Sequence, residues 1–371
     1  MLLRAVKRPM TRRPVTTFAL IATILLTLSA SVASVTAAPA VSPARDFGFF
    51  SAGQFPLYVS SWNSNTVSKV DVGGNVTLFA IGFSRPYQLA FDASGNLYVT
   101  NATGNTVSKV DSGGNVTTYA TGFNNPYDLA FDASGNLYVA EDTFNPITDK
   151  VSKVDSGGNV TTFATGFSAP IGLAFDASGN LYVANDTGNT VSTVDSGGNV
   201  TTFATGFNNP TGLAFDASGN LYVANNGTPD VVYLVPPGGG SKSTYATGFT
   251  NPRGLAFDAS GNLYVSDSGD NVVYLVPPGG GSKSTYATGF NENLDLAFDA
   301  SGNLYVSDSA DNVVYLVPPG GGAASTFVAL TDARYLAFTP LPFVPEPSTF
   351  CMLAFCGIAM AGYSRLRRRH K

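Results

Sequence analysis

Between residues 57 and 338, short apolar runs alternate with clusters of Gly, Asn, Asp and Pro, and the runs come in a fixed order that repeats. In one unit, Leu173-Ala174-Phe175 predicts a strand a, Ala177-Ser178-Gly179-Asn180 a tight turn, and Leu181-Tyr182-Val183-Ala184 a strand b. Thr190-Val191-Ser192-Thr193-Val194 predicts strand c, and Asp195-Ser196-Gly197-Gly198 turns into strand d, Val200-Thr201-Thr202-Phe203-Ala204. Runs rich in β-branched and aromatic residues, bounded by turn formers, are the sequence mark of strands. The nonapeptide Phe-Asp-Ala-Ser-Gly-Asn-Leu-Tyr-Val recurs at Phe91, Phe131, Phe175, Phe215, Phe257 and Phe298, at spacings of 40, 44, 40, 42 and 41 residues. Four strands per repeat at this period predict an all-β propeller. A residue present in every blade is first of all a builder of blades.

Six copies contain all four strands, and the remnants at the two ends complement each other. Leu57-Tyr58-Val59, Val67-Ser68-Lys69-Val70 and Val76-Thr77-Leu78-Phe79 supply b, c and d; Leu336-Ala337-Phe338 supplies a. Together they predict a seventh four-stranded blade that closes the ring and removes the sheet edges. The predicted domain covers residues 55–340. From Val231 the turn between strands c and d changes from Asp-Ser-Gly-Gly to Pro-Pro-Gly-Gly-Gly, a difference to which the sequence attaches no function.

The string Pro-Ile-Gly-Leu-Ala-Phe-Asp-Ala-Ser-Gly-Asn-Leu-Tyr-Val-Ala-Asn, starting at Pro170, resembles the NHL repeat. That resemblance spans the whole domain. It implies a seven-bladed propeller, and a range of roles from binding module and extracellular sensor to streptogramin lyase and lactonase-like enzyme. Fold therefore does not decide function here.

The two ends have a different character. Arg4, Lys7, Arg8, Arg12 and Arg13 precede an apolar stretch, 18–30, and small residues follow through Ala38, the layout of a cleavable signal peptide over 1–38. A linker, 39–54, leads into the propeller. At the other end Val344-Pro345-Glu346-Pro347-Ser348-Thr349 precedes an apolar run, 350–363, and a basic terminus with Arg365, Arg367, Arg368 and Arg369. A short membrane-inserting helix followed by a cationic stop is the physical reading. The order of the three parts over 341–371 resembles the PEP-CTERM sorting signal. It implies export by signal peptidase, recognition by exosortase, and the envelope of a Gram-negative-type bacterium that often makes extracellular polysaccharide.

Charge separates the same way. The formal net charge of the chain is −5, but residues 51–343 hold nine basic and 23 acidic residues, a net of −14. Without a basic patch a nucleic-acid partner is excluded. Cys351 and Cys356 both lie in the C-terminal apolar run, so no disulfide braces the propeller. The chain's single histidine is His370, which leaves the propeller without an imidazole for base or zinc chemistry. Streptogramin lyases rely on a histidine.

Within the repeats, the a–b turn is constant while the b–c and d–a loops vary, and both variable sets are expected on one face. Repeat proteins place such variation at the binding face. The candidate ligand residues are Trp62, Arg85, Tyr87, Tyr127, Asp128, Glu141, Asp142, Arg253, Glu292, Asp295 and Arg334, with Gln88 and Phe144 beside them. Trp62 is the single tryptophan, and an exposed aromatic among Asn and Asp suits stacking on sugar. Asp128 and Asp295 stand where most copies have Gly, and are expected at the channel mouth as solvated turn caps, metal ligands or acid–base groups. The pairs Asp267/Asp270 and Asp308/Asp311 resemble oxygen-rich Ca²⁺ loops without the EF-hand spacing. Two readings stay open. One is a non-catalytic binding or structural surface module without a cofactor, directed at a glycan or envelope protein. The other is a metal-dependent hydrolase, lactonase-like or lyase-like enzyme in the channel.

Overall fold

A computed structural model describes residues 56–299 and 301–338. The expected signal peptide, linker and sorting segment lie outside the described residues. The strands assemble into seven sheets with four strands in the order a-b-c-d, and in blade 5 a short parallel fifth strand, Gly322–Ala323, adds to the outer edge. Blades 1 to 6 follow the chain, with a-strands Pro86–Phe91, Pro126–Phe131, Pro170–Phe175, Pro210–Phe215, Pro252–Phe257 and Asn293–Phe298. Blade 7 combines Ala333–Phe338 as strand a with Leu57–Ser61, Thr66–Val70 and Val76–Ile81. Leu57 pairs Phe338, Tyr58 pairs Ala337 and Val59 pairs Leu336, so the ring closes as the complementary ends predict.

Strand a begins earlier than the apolar pattern indicates. Leu173-Ala174-Phe175 is only its regular half, and the strand reaches back to Pro170 across a register shift between Pro170 and Gly172. The a-strands contact one another around the axis. At the third residue the Cβ direction faces the next blade, as the contacts of Asp128, Gly172, Gly212, Gly254, Asp295 and Tyr335 show. A Cβ on Gly212 would lie 2.2 Å from the Arg253 carbonyl oxygen, so glycine lets the two inner strands approach.

The core lies in the seams between blades. Each of seven apolar clusters draws on two neighbouring blades; one unites Tyr138, Ala140 and Val151 of blade 2 with Leu173, Phe175 and Val183 of blade 3. The repeated Tyr and Phe of the nonapeptide meet there edge to face. Tyr138 packs on Phe175 of the next blade at 5.2 Å and on Phe163 of its own strand d at 4.8 Å. The same Tyr–Phe contact seals all seven seams, Tyr305–Phe338 and Tyr58–Phe91 included. Each such pair contributes about 0.5–1.5 kcal/mol beyond the area it buries.

The rest of the nonapeptide holds the a–b turn. Asp132 accepts hydrogen bonds from Ser134 N (2.9 Å), Asn136 N (2.8 Å), Asn136 Nδ2 (2.7 Å) and the Tyr138 hydroxyl (3.2 Å). Strand alternation puts the a–b and c–d turns on one face and the b–c and d–a loops on the other, as expected. Leu57 and Phe338, the first and last strand residues, are paired at the turn face.

Candidate functional site

Seven equivalent side chains border the axis on the variable-loop side: Tyr87, Tyr127, Ile171, Thr211, Arg253, Leu294 and Arg334. Each is the second residue of a strand a, and each is half-buried. A second ring follows strand b, occupied by Trp62, Ala102, Asp142, Asp186, Asn226, Ser268 and Ser309. The backbone ties this ring to the d–a loops. Trp62 N donates to Asp332 O at 3.3 Å and Ala102 N to Arg85 O at 3.2 Å, and Asp186 N to Ala169 O at 2.9 Å.

Blades 7, 1 and 2 turn this scaffold into an aromatic surface. Tyr87 sits at its centre, with ring centroids 5.4 Å from Trp62, 4.8 Å from Tyr127 and 4.6 Å from Tyr335. Two guanidiniums lie over Trp62, Arg85 at 5.4 Å and Arg334 at 5.1 Å from the ring centroid. Arg334 is fixed by an ion pair with the buried Asp332, Nε to Oδ1 at 2.9 Å. Arg85 is exposed and carries a positive φ of 53°; its N–H donates to Asn65 Oδ1 at 2.7 Å, which holds that conformation. The structure thus brings together Trp62, Arg85, Tyr87, Tyr127 and Arg334, five residues scattered over 272 positions of sequence.

Acidic groups border the same mouth beyond Tyr127. Burial is the chief reason the carboxyls of Asp142 and Asp186 are pushed above the usual carboxylate range, and Asp149 and Asp186 push Asp142 further. Burial, then Tyr87 and Asp142, push the Tyr127 phenol up to about 12, so it stays protonated at neutral pH and can donate. The blade 2 insertion, 143–148, projects from this face with Phe144 and Ile147 79% and 88% exposed. Asp149 braces it from below, accepting from Thr143 N and Ala169 N, each at 2.8 Å.

Several expected ligand residues have other work. Asp128 and Asp295 lie inside strand a, 1% and 7% exposed, and not at the channel mouth. Each carboxylate faces the seam. Asp128 accepts Leu129 N at 2.9 Å and Leu173 N of the next blade at 2.8 Å; Asp295 accepts Leu296 N at 3.0 Å and Leu336 N at 3.1 Å. They are buried stitches between blades, not solvated caps. Glu141 is fully buried at the end of strand b, bonded to Asn124 N (2.7 Å) and to Ser152, with Lys150 at 3.6 Å. Burial pushes its carboxyl up.

The Ca²⁺ candidates are likewise engaged. Asp267 accepts Thr250 N and Asn251 N at 2.9 and 2.8 Å, and Asp308 accepts Asn291 N and Glu292 N at 2.7 and 3.1 Å. Asp270 bonds Thr250 Oγ1 and the Tyr274 hydroxyl, and Asp311 bonds the Tyr315 hydroxyl. Among the described residues no group of three or more His, Cys, Asp or Glu is placed to hold a metal ion. Glu292 is half-buried and accepts from Ser309 Oγ at 2.8 Å, while Gln88 is buried in strand a. The sorting residues Pro345, Glu346, Pro347 and Ser348 lie outside the described residues.

Three members of the mouth escape the sequence reading: Tyr335, Asp186 and Asp332. Tyr335 had a usable signal, since it fills the column held by Gly172, Gly212 and Gly254 in other blades. A cleft of ≈ 310 Å³ on the turn face, lined by Asp132, Tyr138, Lys153, Phe175 and Asp195, is made of turn-holding residues and is separate from this mouth.

A family profile, Virginiamycin B lyase family, matches residues 51–275. Among solved structures, a streptogramin B lyase superposes with a TM-score of 0.62 at 15% identity, covering 73% of this chain and 92% of its own. A catalytically inactive histidine-to-alanine variant of virginiamycin B lyase from Staphylococcus aureus, solved with quinupristin, gives a TM-score of 0.60 at 15% identity over 74% and 94% of the two chains. A functionally unknown protein from Desulfotomaculum acetoxidans DSM 771 gives 0.62 at 13% identity over 76% and 98%. At these identities the likeness shows the fold. No curated protein matches the chain.

Proposed function

This chain belongs to the virginiamycin B lyase family, and within that family we propose for it a non-catalytic role, as an exported surface propeller that binds glycan at its variable-loop mouth. The observation that carries this reading is the Trp62–Tyr87–Tyr127–Tyr335 surface, assembled from three blades at one end of the channel. Aromatic faces flanked by fixed hydrogen-bonding groups stack on sugar rings at little conformational cost, because the blades hold them beforehand. The lyase reading lacks its acid–base group. A histidine-to-alanine variant of the S. aureus lyase is inactive, and the only histidine of this chain is His370, which in sequence follows the last propeller strand by more than thirty residues. The channel-hydrolase alternative loses its leading carboxylates, Asp128 and Asp295, to seam hydrogen bonds.

The signal peptide and the PEP-CTERM-like tail support delivery to the envelope. Signal peptidase acts at the N-terminus, exosortase acts on 344–349, and the apolar run 350–363 holds the protein at the membrane at least transiently. A pull-down of the protein on the extracellular polysaccharide of its own source organism tests the binding role. Saturable binding, weakened about fivefold or more in Trp62→Ala and Tyr127→Ala, is expected, taking the stacking of a ring on one aromatic at about 1–3 kcal/mol, as for nucleobases. Binding that survives both substitutions places the ligand elsewhere.

A further inference from the structure

Residues 51–343 contain three arginines, Arg85, Arg253 and Arg334, and all three stand at the mouth. Two of them are accounted for. Arg334 is paired with Asp332 and Arg85 lies over Trp62. Arg253 is different. It is half-buried on the axial ring, its Nε is buried with no hydrogen-bond partner, and no carboxylate of the described residues lies within ion-pair distance. Asp186, at the border of the same mouth, is the carboxylate its charge influences.

The blade does not need this cation. At the same ring position Ile171, Thr211 and Leu294 fill the space with neutral side chains. A guanidinium brings five donors in a planar fork, and holding it partly out of water without a counter-charge costs free energy that a neutral residue avoids. A bidentate oxyanion matches that fork and offsets the cost.

This inference rests on the glycan-binding reading and narrows it. We propose that the mouth takes a uronic-acid-bearing polysaccharide, with Arg253 holding the sugar carboxylate while the aromatic surface of Trp62, Tyr87, Tyr127 and Tyr335 stacks on the ring. The protonated Tyr127 phenol and the acids Asp142 and Asp186 face the same space and serve sugar hydroxyls. The propeller's net charge of −14 gives an anionic polymer no long-range attraction. Recognition is therefore local, one carboxylate at one guanidinium.

A matched ligand pair tests this without disturbing the protein. Alginate oligosaccharides and the same oligosaccharides with their carboxyls reduced to alcohols are titrated calorimetrically into the full chain in detergent. The acid form is expected to bind about tenfold tighter than the reduced form, the worth of one hydrogen-bonded charge pair. Arg253→Gln is expected to abolish that difference, leave the reduced form's affinity in place, and keep or raise the melting temperature, because among the described residues the guanidinium makes no hydrogen bond and its desolvation cost is relieved. Equal wild-type affinity for the two forms, lost in Tyr127→Ala, overturns the carboxylate inference and keeps the glycan reading. Binding of neither form overturns both.

Discussion

At the scale of single residues, the same aspartate can be read as chemistry or as carpentry, and its hydrogen bonds decide which. Asp128 fills both oxygens with backbone N–H groups of two blades. Asp128→Ala would orphan two buried donors, a loss of about 2–4 kcal/mol in denaturant unfolding, with glycan affinity unchanged. Asp132 holds the a–b turn, and although burial alone would raise its carboxyl, the hydrogen bonds from Asn136, Ser134 and Tyr138 bring it below the usual range. The folded state then binds that proton more weakly than the unfolded chain. Its stabilisation is present above the ordinary carboxylate value near about 4 and is lost as pH falls through the lower folded value. Asp132→Asn should therefore be less stable than wild type at pH 7, with the gap narrowing in acid-unfolding curves once pH falls below the ordinary carboxylate range. Little of this was legible in the sequence. An Asp in a Gly column announces that something is special, but only the bulge in strand a shows that its side chain turns sideways into the seam. Trp62, Arg85, Tyr87, Tyr127 and Arg334 were legible because they break the repeat on the variable face, although only Arg85 is exposed and the other four are half-buried. Tyr335 was masked by sitting in a half-repeat.

At the scale of elements, the two turn types differ in what they grip. In the later blades the Pro-Pro-Gly-Gly-Gly turn reaches across the seam, with Gly240 N donating to Phe203 O at 2.8 Å and Gly281 N to Tyr245 O at 2.7 Å. Gly239 makes the approach feasible, since a Cβ there would lie 2.5 Å from Phe203 O. The sequence marked this change of composition without its purpose, because the partner strand lies about forty residues upstream. Strand Ala333–Phe338 was legible, as the missing quarter of a blade begun at Leu57. Beyond its pairing it brings Phe338 onto Tyr305 at 5.4 Å, and Ser307 Oγ of blade 6 donates to Arg334 O at 2.7 Å. Deleting 334–338 removes two buried apolar side chains, two seams and one sheet edge's cover. A loss of roughly 5 kcal/mol or more, and a melting temperature lower by about 10 °C or more, is expected by scanning calorimetry. An unchanged melting temperature would sink the closure account.

At the scale of the whole molecule, seven near-equal blades make a frame that fixes every mouth residue relative to every other. Blade number, closure and the division into a constant and a variable face were all written in the period and in the complementary ends. The distribution of roles around the ring was not, because identical repeats carry no information about which blades will face a ligand together. The frame also has a mechanical side. Strand Ala333–Phe338 carries Arg334 at the mouth and ends at the opposite face, where the chain continues toward its tail. If that tail is held while flowing water drags on a bound polymer, the load runs lengthwise along this strand. It strains the Leu57–Phe338, Tyr58–Ala337 and Val59–Leu336 pairs in shear, all at once, instead of peeling them one by one. A propeller so gripped would behave as a rivet, strongest along the direction in which it is pulled.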